Sequence, residues 1–128
     1  MPDSTPPRTA PDPVRLADKF ALITEQWSPK IVARVDDHDV RLAKIEGAFS
    51  WHKHDDADEL FMIVDGAMRM ELRDRTVALA AGDVFVVPRG VEHRPVADAE
   101  CRIIMIERAG TMNTGDATDR EGTAGEWL

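Results

Sequence analysis

Three imidazoles and one carboxylate occupy positions from which they can meet at a single ion. His52 and His54 are two residues apart, Glu59 follows a short acidic loop, and His93 lies just past a Pro88-Arg89-Gly90 turn. Side chains two residues apart on an extended segment project to one face, so His52 and His54 can aim at a common centre. Glu59, Phe61 and Ile63 share a face on the segment that returns from the loop. Antiparallel neighbours lie about 5 Å apart, within reach of a shared metal. His93 can bring the third imidazole back to the same rim. Three ring nitrogens and one carboxylate oxygen suit a divalent transition metal (Fe, Mn, Ni, Zn, Co or Cu), whereas Ca²⁺ and Mg²⁺ call for more oxygen ligands. Four such ligands leave two positions open on an octahedral ion, enough for a small-molecule substrate, and close a tetrahedral one.

Other polar residues near this constellation have plainer readings. His38 sits in Asp36-Asp37-His38-Asp39, a hairpin tip, and is expected to be solvated. Asp55, Asp56 and Asp58 read first as a solvated turn, and second as an acidic guard around the cation. Lys44, Arg89 and Arg94 are candidate counter-charges for an anionic substrate. Phe61, Met62, Ile63, Phe85 and Met105 can line an apolar pocket, although most of them fit a core equally well. Ser50 shares the parity of the two histidines. Should the chemistry need a base, Glu59 is the candidate catalytic group, ahead of Asp55 and Asp58.

The elements that must position these groups are short. The 128 residues suffice for one domain. Net charge is −8, which argues against nucleic acid or an anionic membrane surface as partner. No apolar run approaches the roughly 20 residues of a membrane span, and the first residues lack the apolar core of a secretory signal. The one cysteine, Cys101, lies in the apolar run Cys-Arg-Ile-Ile-Met-Ile-Glu and reads as a buried core thiol; a cytoplasmic location is expected.

Residues 1–13 carry five of the eight prolines and read as an arm without a core of its own. Asp12 and Pro13 are placed to open one or two helical turns. From residue 30 the pattern becomes short strands separated by turns. The expected strands are 30–35, 40–46, 48–54, 59–64, 67–72, 76–79, 83–87 and 101–108, with a polar loop tail over 111–128. Seven or eight strands at this spacing, without a long helical pattern between them, predict an all-β antiparallel sandwich or barrel over residues 14–110.

These residues resemble the cupin superfamily. Its first motif, G-x5-H-x-H-x3,4-E-x6-G, is matched by Gly47, His52, His54, Glu59 and Gly66, with four residues rather than five between Gly47 and His52. Its second, G-x5-P-x-G-x2-H-x3-N, is matched by Gly82, Pro88, Gly90 and His93, with Ala97 in place of the final asparagine. The resemblance, closest to small single-domain bacterial members labelled conserved-barrel or mannose-6-phosphate isomerase-like, implies a double-stranded β-helix, or jelly-roll barrel. It also implies a divalent metal on His52, His54, Glu59 and His93. It leaves the activity open among dioxygenase, isomerase or lyase, and a non-catalytic metal- and small-ligand-binding module. Three histidines and one glutamate tilt the expectation slightly towards a dioxygenase. A homodimer is expected as well, with Trp27 and Ile31 as residues that could pack across its interface.

Overall fold

A computed structural model describes residues 9–128. The arm expected over 1–13 falls largely outside them. The elements are α1 (Leu16–Ala21), β1 (Lys30–Val35), β2 (His38–Ala48), β3 (Glu59–Asp65), β4 (Ala67–Leu72), β5 (Thr76–Ala80), β6 (Val84–Val87), β7 (His93–Arg108) and β8 (Glu126–Trp127). The strands form a jelly-roll barrel whose sheet does not close on itself. Among these strands pairing is antiparallel apart from a two-residue parallel contact of β8 with β1, and an isolated bridge of Gln26 with Lys44 is also parallel.

The long strand β7 organises the molecule. One of its edges follows β2 over almost the full length of both. Its other edge changes partner midway: residues 93–96 pair with β4, and residues 102–107 pair with β3. One strand thereby belongs to both walls of the barrel. Its odd-numbered residues face inward from end to end, with His93, Pro95, Ala97, Cys101, Ile103, Met105 and Glu107 all buried and only Ala99 exposed. That alternation is the period-2 pattern of a strand with one face on a core. The core proper joins Ala43 and Ile45 of β2, Phe61 and Ile63 of β3, Met68 and Met70 of β4, Leu79, Val87 and the inward residues of β7. A second cluster, Phe20, Ile23 and Leu42, fixes α1 to the outer face of β2.

Several expected boundaries shift. The strand expected over 48–54 is not one: after β2 ends at Ala48, the chain makes only an isolated bridge between His52 and His93. The register of β2 against β7 breaks between Ile45 and Gly47, and Gly47 takes φ +87°, so the chain leaves the regular ladder there. In compensation β7 begins at His93 instead of Cys101. Residues 93–100 resemble a loop because of Pro95, Asp98 and Glu100, yet Pro95 pairs with Met70 and its carbonyl accepts from Phe49 N–H at 3.0 Å. Asp12 and Pro13 do not open the helix. Arg15 occupies the cap position with no side-chain cap, and the short helix is held by burial of Phe20 and Ile23 instead. The tail after Gly110 is mostly irregular as expected, but it packs back on the body, with Thr114 buried and Leu128 N–H donating to Ile31 C=O at 3.0 Å.

Candidate metal centre

The four predicted groups converge. His52 and His54 lie on the irregular segment after Gly47, Glu59 begins β3, and His93 begins β7. One ligand atom from each lies within 4.8 Å of all the others. All four residues are buried, between 0% and 7% exposed. The two-residue spacing holds the imidazoles on one face although the segment is not a ladder strand, because its hydrogen bonds keep it extended. His52 N–H donates to His93 C=O at 3.0 Å, His93 N–H returns to His52 C=O at 2.9 Å, and Gly90 N–H donates to His54 C=O at 2.8 Å.

Backbone carbonyls set the tautomers. His52 Nδ1 is 2.9 Å from Ser50 C=O, and His93 Nδ1 is 2.9 Å from Val91 C=O. A carbonyl oxygen only accepts, so both Nδ1 atoms carry the proton and both Nε2 lone pairs are free for an ion. His93 Nε2 and His54 Nε2 are buried without a hydrogen-bond partner. Each stands 3.5 Å from one oxygen of Glu59. That is long for a hydrogen bond and near the roughly 3.0–3.4 Å that separates two ligands each about 2.1 Å from one ion. Unpaired buried ring nitrogens are costly, and a cation held by all four groups would satisfy them. The donor set therefore fits a divalent transition metal.

Electrostatics agree. Burial, then the neighbouring His93, lower the His52 pKa from 6.5 to about 4, so this imidazole is neutral at physiological pH. Burial alone would raise Glu59, but its contacts with Glu107, His54 and His93 outweigh that and hold it well below the usual carboxylate range. Glu107 shifts the opposite way, through burial and the charge of Glu59. Glu107 Oε2 is buried without a hydrogen-bond partner. Behind it Arg41 Nη1 donates to Glu107 Oε1 at 2.9 Å and to Thr111 C=O at 2.9 Å, while Asp39 lies 3.4 Å from Nη2. Asp39, Glu107 and Glu59 stand in cross-strand register on β2, β7 and β3, a line of three inward acids around one buried arginine. Sequence reasoning missed Asp39, Arg41 and Glu107. The available signal was a charged residue at inward positions of two strands whose other inward positions are mostly apolar.

Two cavities flank the cluster. An inner chamber of about 30 Å³ touches His52 and Glu59 and is otherwise lined chiefly by Trp27, Phe49, Phe61 and Met105. An outer polar groove of about 470 Å³ runs past His54 between Asp55, Asp56, Arg108 and Asp116. Phe61 and Met105 thus line a chamber as expected, Ile63 is core, and Phe85 packs against the core from its edge.

The remaining candidates lie elsewhere. Lys44 Nζ donates to Ile23 C=O at 2.8 Å. Arg94 is ion-paired with Glu71 at 2.6 Å, and the guanidinium of Arg73 stacks 3.9 Å from the ring of Trp51 on the outer surface. Arg89 N–H donates to Asp58 at 2.9 Å, and Asp55 pairs with Lys53 at 2.9 Å. The acidic loop is therefore a tied-off solvent turn. Ser50 Oγ donates to Asp119 at 2.8 Å. His38 is exposed beside Asp37, as expected. Cys101 is fully buried. Trp27 packs on Phe49 at 4.8 Å between ring centres, and Ile31 is 4% exposed. Among the described residues no helix is long and apolar enough to cross a membrane.

Comparison with known proteins gives a consistent result. A family model described as a cupin domain matches residues 35–107. A cupin-2 domain containing protein from Shewanella frigidimarina is 42% identical, with a TM-score of 0.73 over 74% of this chain and 93% of that one. Protein NMB1881 from Neisseria meningitidis is 31% identical, with a TM-score of 0.70 over 76% of this chain and 99% of that one. The uncharacterized protein YdbB of Bacillus subtilis is 41% identical over 73 residues, which are 56% of this chain and 65% of that protein's length.

Proposed function

The chain belongs to the cupin domain family, and from that premise we propose that it is a metal-dependent enzyme acting on a small oxygenated molecule. His52, His54, Glu59 and His93 hold the divalent ion in this reading. The observation that carries it is the pair of buried, unpartnered Nε2 atoms of His54 and His93 facing the two oxygens of Glu59. When bound, such an ion polarises chelating oxygens or activates dioxygen beside it. The protein's own groups do the rest. Ser50 C=O and Val91 C=O hold the two imidazoles in the binding tautomer, and Trp27, Phe49 and Phe61 give the inner chamber an apolar wall.

The cavities support a lean towards a dioxygenase. A chamber of about 30 Å³ with an apolar wall has room for roughly two or three heavy atoms, which suits dioxygen. The outer groove is larger and polar, and suits a hydrophilic substrate approaching past His54. An isomerase or lyase is the second reading, supported by the Glu59–Glu107 pair. There Glu59 accepts a proton from a carbon next to a carbonyl, with the buried acid Glu107 opposite it in the sheet. A non-catalytic binding module is the third. Oxygen uptake by iron-loaded protein, measured over 1,2-diketones, thiols, catechols and flavonols, separates them. Consumption abolished by His52→Ala supports the first. Turnover without oxygen supports the second, and saturable binding without turnover supports the third.

A cytoplasmic homodimer completes the proposal. Leu60, Met62, Val84, Val86, Ile104 and Ile106 point outward in two aligned rows across β6, β3 and β7. Val84 is 52% and Val86 46% exposed, and β6 is an edge strand. The exposed valines on this sheet edge, continued by half-buried apolar neighbours, favour covering by another chain. Light scattering of the purified protein tests this, and Val84→Lys with Val86→Lys is expected to give a monomer.

A further inference from the structure

Among the described residues, the segment that carries His52 and His54 has no neighbouring strand on one side. Its residues alternate in the direction of their backbone groups. Those of His52 and His54 face residues 90–93, as described above. Those of Lys53, between the two histidines, face the other way, where a barrel with one more strand would offer a ladder. The C-terminal tail supplies partners instead. Lys53 N–H donates to Asp116 Oδ1 at 2.8 Å, and Asp116 N–H donates to Lys53 C=O at 3.2 Å. One residue thereby satisfies both backbone groups of the link between the two imidazoles.

The surrounding contacts close the tail onto this segment. Gly115 has φ +52°, and a side chain there would run into Lys53 C=O and approach His52 Cδ2 to 3.1 Å. Arg120 Nε donates to Ser50 Oγ at 2.9 Å, and its guanidinium lies 4.4 Å from the ring of Phe49. Asp116 itself is exposed, so its contribution to packing is small.

We propose that Asp116 is a positioning residue of the metal centre, its side chain and backbone replacing the missing strand and fixing the spacing of His52 and His54. This rests on the reading of the four-residue cluster as a metal site. Outer contacts that orient ligands are worth about 10–100-fold in affinity.

The test is Zn²⁺ and Ni²⁺ affinity of the full chain, measured by competition with a chromogenic chelator, for the parent, Asp116→Ala and Asp116→Asn. Amide exchange of Lys53 in the metal-free proteins is measured alongside. Asn keeps the carbonyl acceptor and loses the charge. The clasp predicts about 10–100-fold weaker binding and faster Lys53 exchange in the alanine variant, with the asparagine variant near the parent in both. Equal affinity in parent and alanine variants overturns it. An asparagine variant as weak as alanine also overturns it, because the effect would then be one of charge. If the parent binds neither metal, the metal reading fails separately. Lys53 exchange then decides the clasp alone, and an unchanged rate in the alanine variant refutes it.

Discussion

Glu59 and Glu107 sit directly opposite each other on β3 and β7, both buried. Two acids so placed cannot both ionise at low cost. Arg41 pairs with the outer one, and the inner one faces three imidazoles. The two acids are therefore pushed apart: Glu59 is held below the usual carboxylate range and Glu107 above it.

Glu107→Gln keeps the acceptor for Arg41, since an amide oxygen can stand where Glu107 Oε1 does. Denaturant unfolding is expected to place it within about 1 kcal/mol of the parent, with metal affinity little changed. Glu107→Ala removes the acceptor of the buried Arg41 Nη1 and is expected to cost about 1–3 kcal/mol. Equal stability of the two variants would remove the buried network from the account.

Single replacement of His52, His54 or His93 by Ala is expected to abolish stoichiometric metal, read by elemental analysis after dialysis. His38→Ala is expected to retain it, because His38 lies at an exposed turn. Added metal is expected to raise the melting temperature of the parent and of His38→Ala only.

Metal-free protein is expected to lose stability as pH falls. The folded pKa of His52 lies at about 4 against 6.5 for the free side chain. Between those values the unfolded chain takes up a proton that the folded chain does not, so stability is full above pH 6.5 and declines until about pH 4. The gap corresponds to about 3 kcal/mol. Unfolding curves measured across that window, compared with His52→Gln, check both the sign and the size. Bound metal is expected to leave on acidification as protons compete for the same nitrogens.

Cys101 is expected to be inert. Burial raises its pKa to about 11, and the residue is fully covered. A chromogenic disulfide reagent at pH 8 is expected to react only after denaturant is added.

The sequence carried the site more legibly than the scaffold. His52, His54, Glu59 and His93 were readable because two short spacings and one turn sufficed to bring them together. Strands β1 and β4 were readable to the residue, since clear turn signals bound both. The start of β7 was not, because Pro95 and two acids mimic a loop when their partners on β4 and the Phe49 segment are unseen. Asp39, Arg41 and Glu107 escaped for a similar reason: burial of a charge depends on cross-strand neighbours that no local pattern records. The tail read as loop, which is true of its dihedral angles and silent about Asp116.

The inward parity that β7 holds on both sides of the exposed residues 98–100 has a consequence for tolerance to insertion. His93 at its start and Glu107 near its end lie on the same face, fourteen positions apart in one strand. Adding or deleting one residue within 93–97 or 101–107 would turn part of that run outward, removing either the third imidazole or Glu107. Length changes are therefore expected to be tolerated in the hairpin turns and selected against here, which makes the length of this strand as diagnostic of a working centre as the ligands themselves.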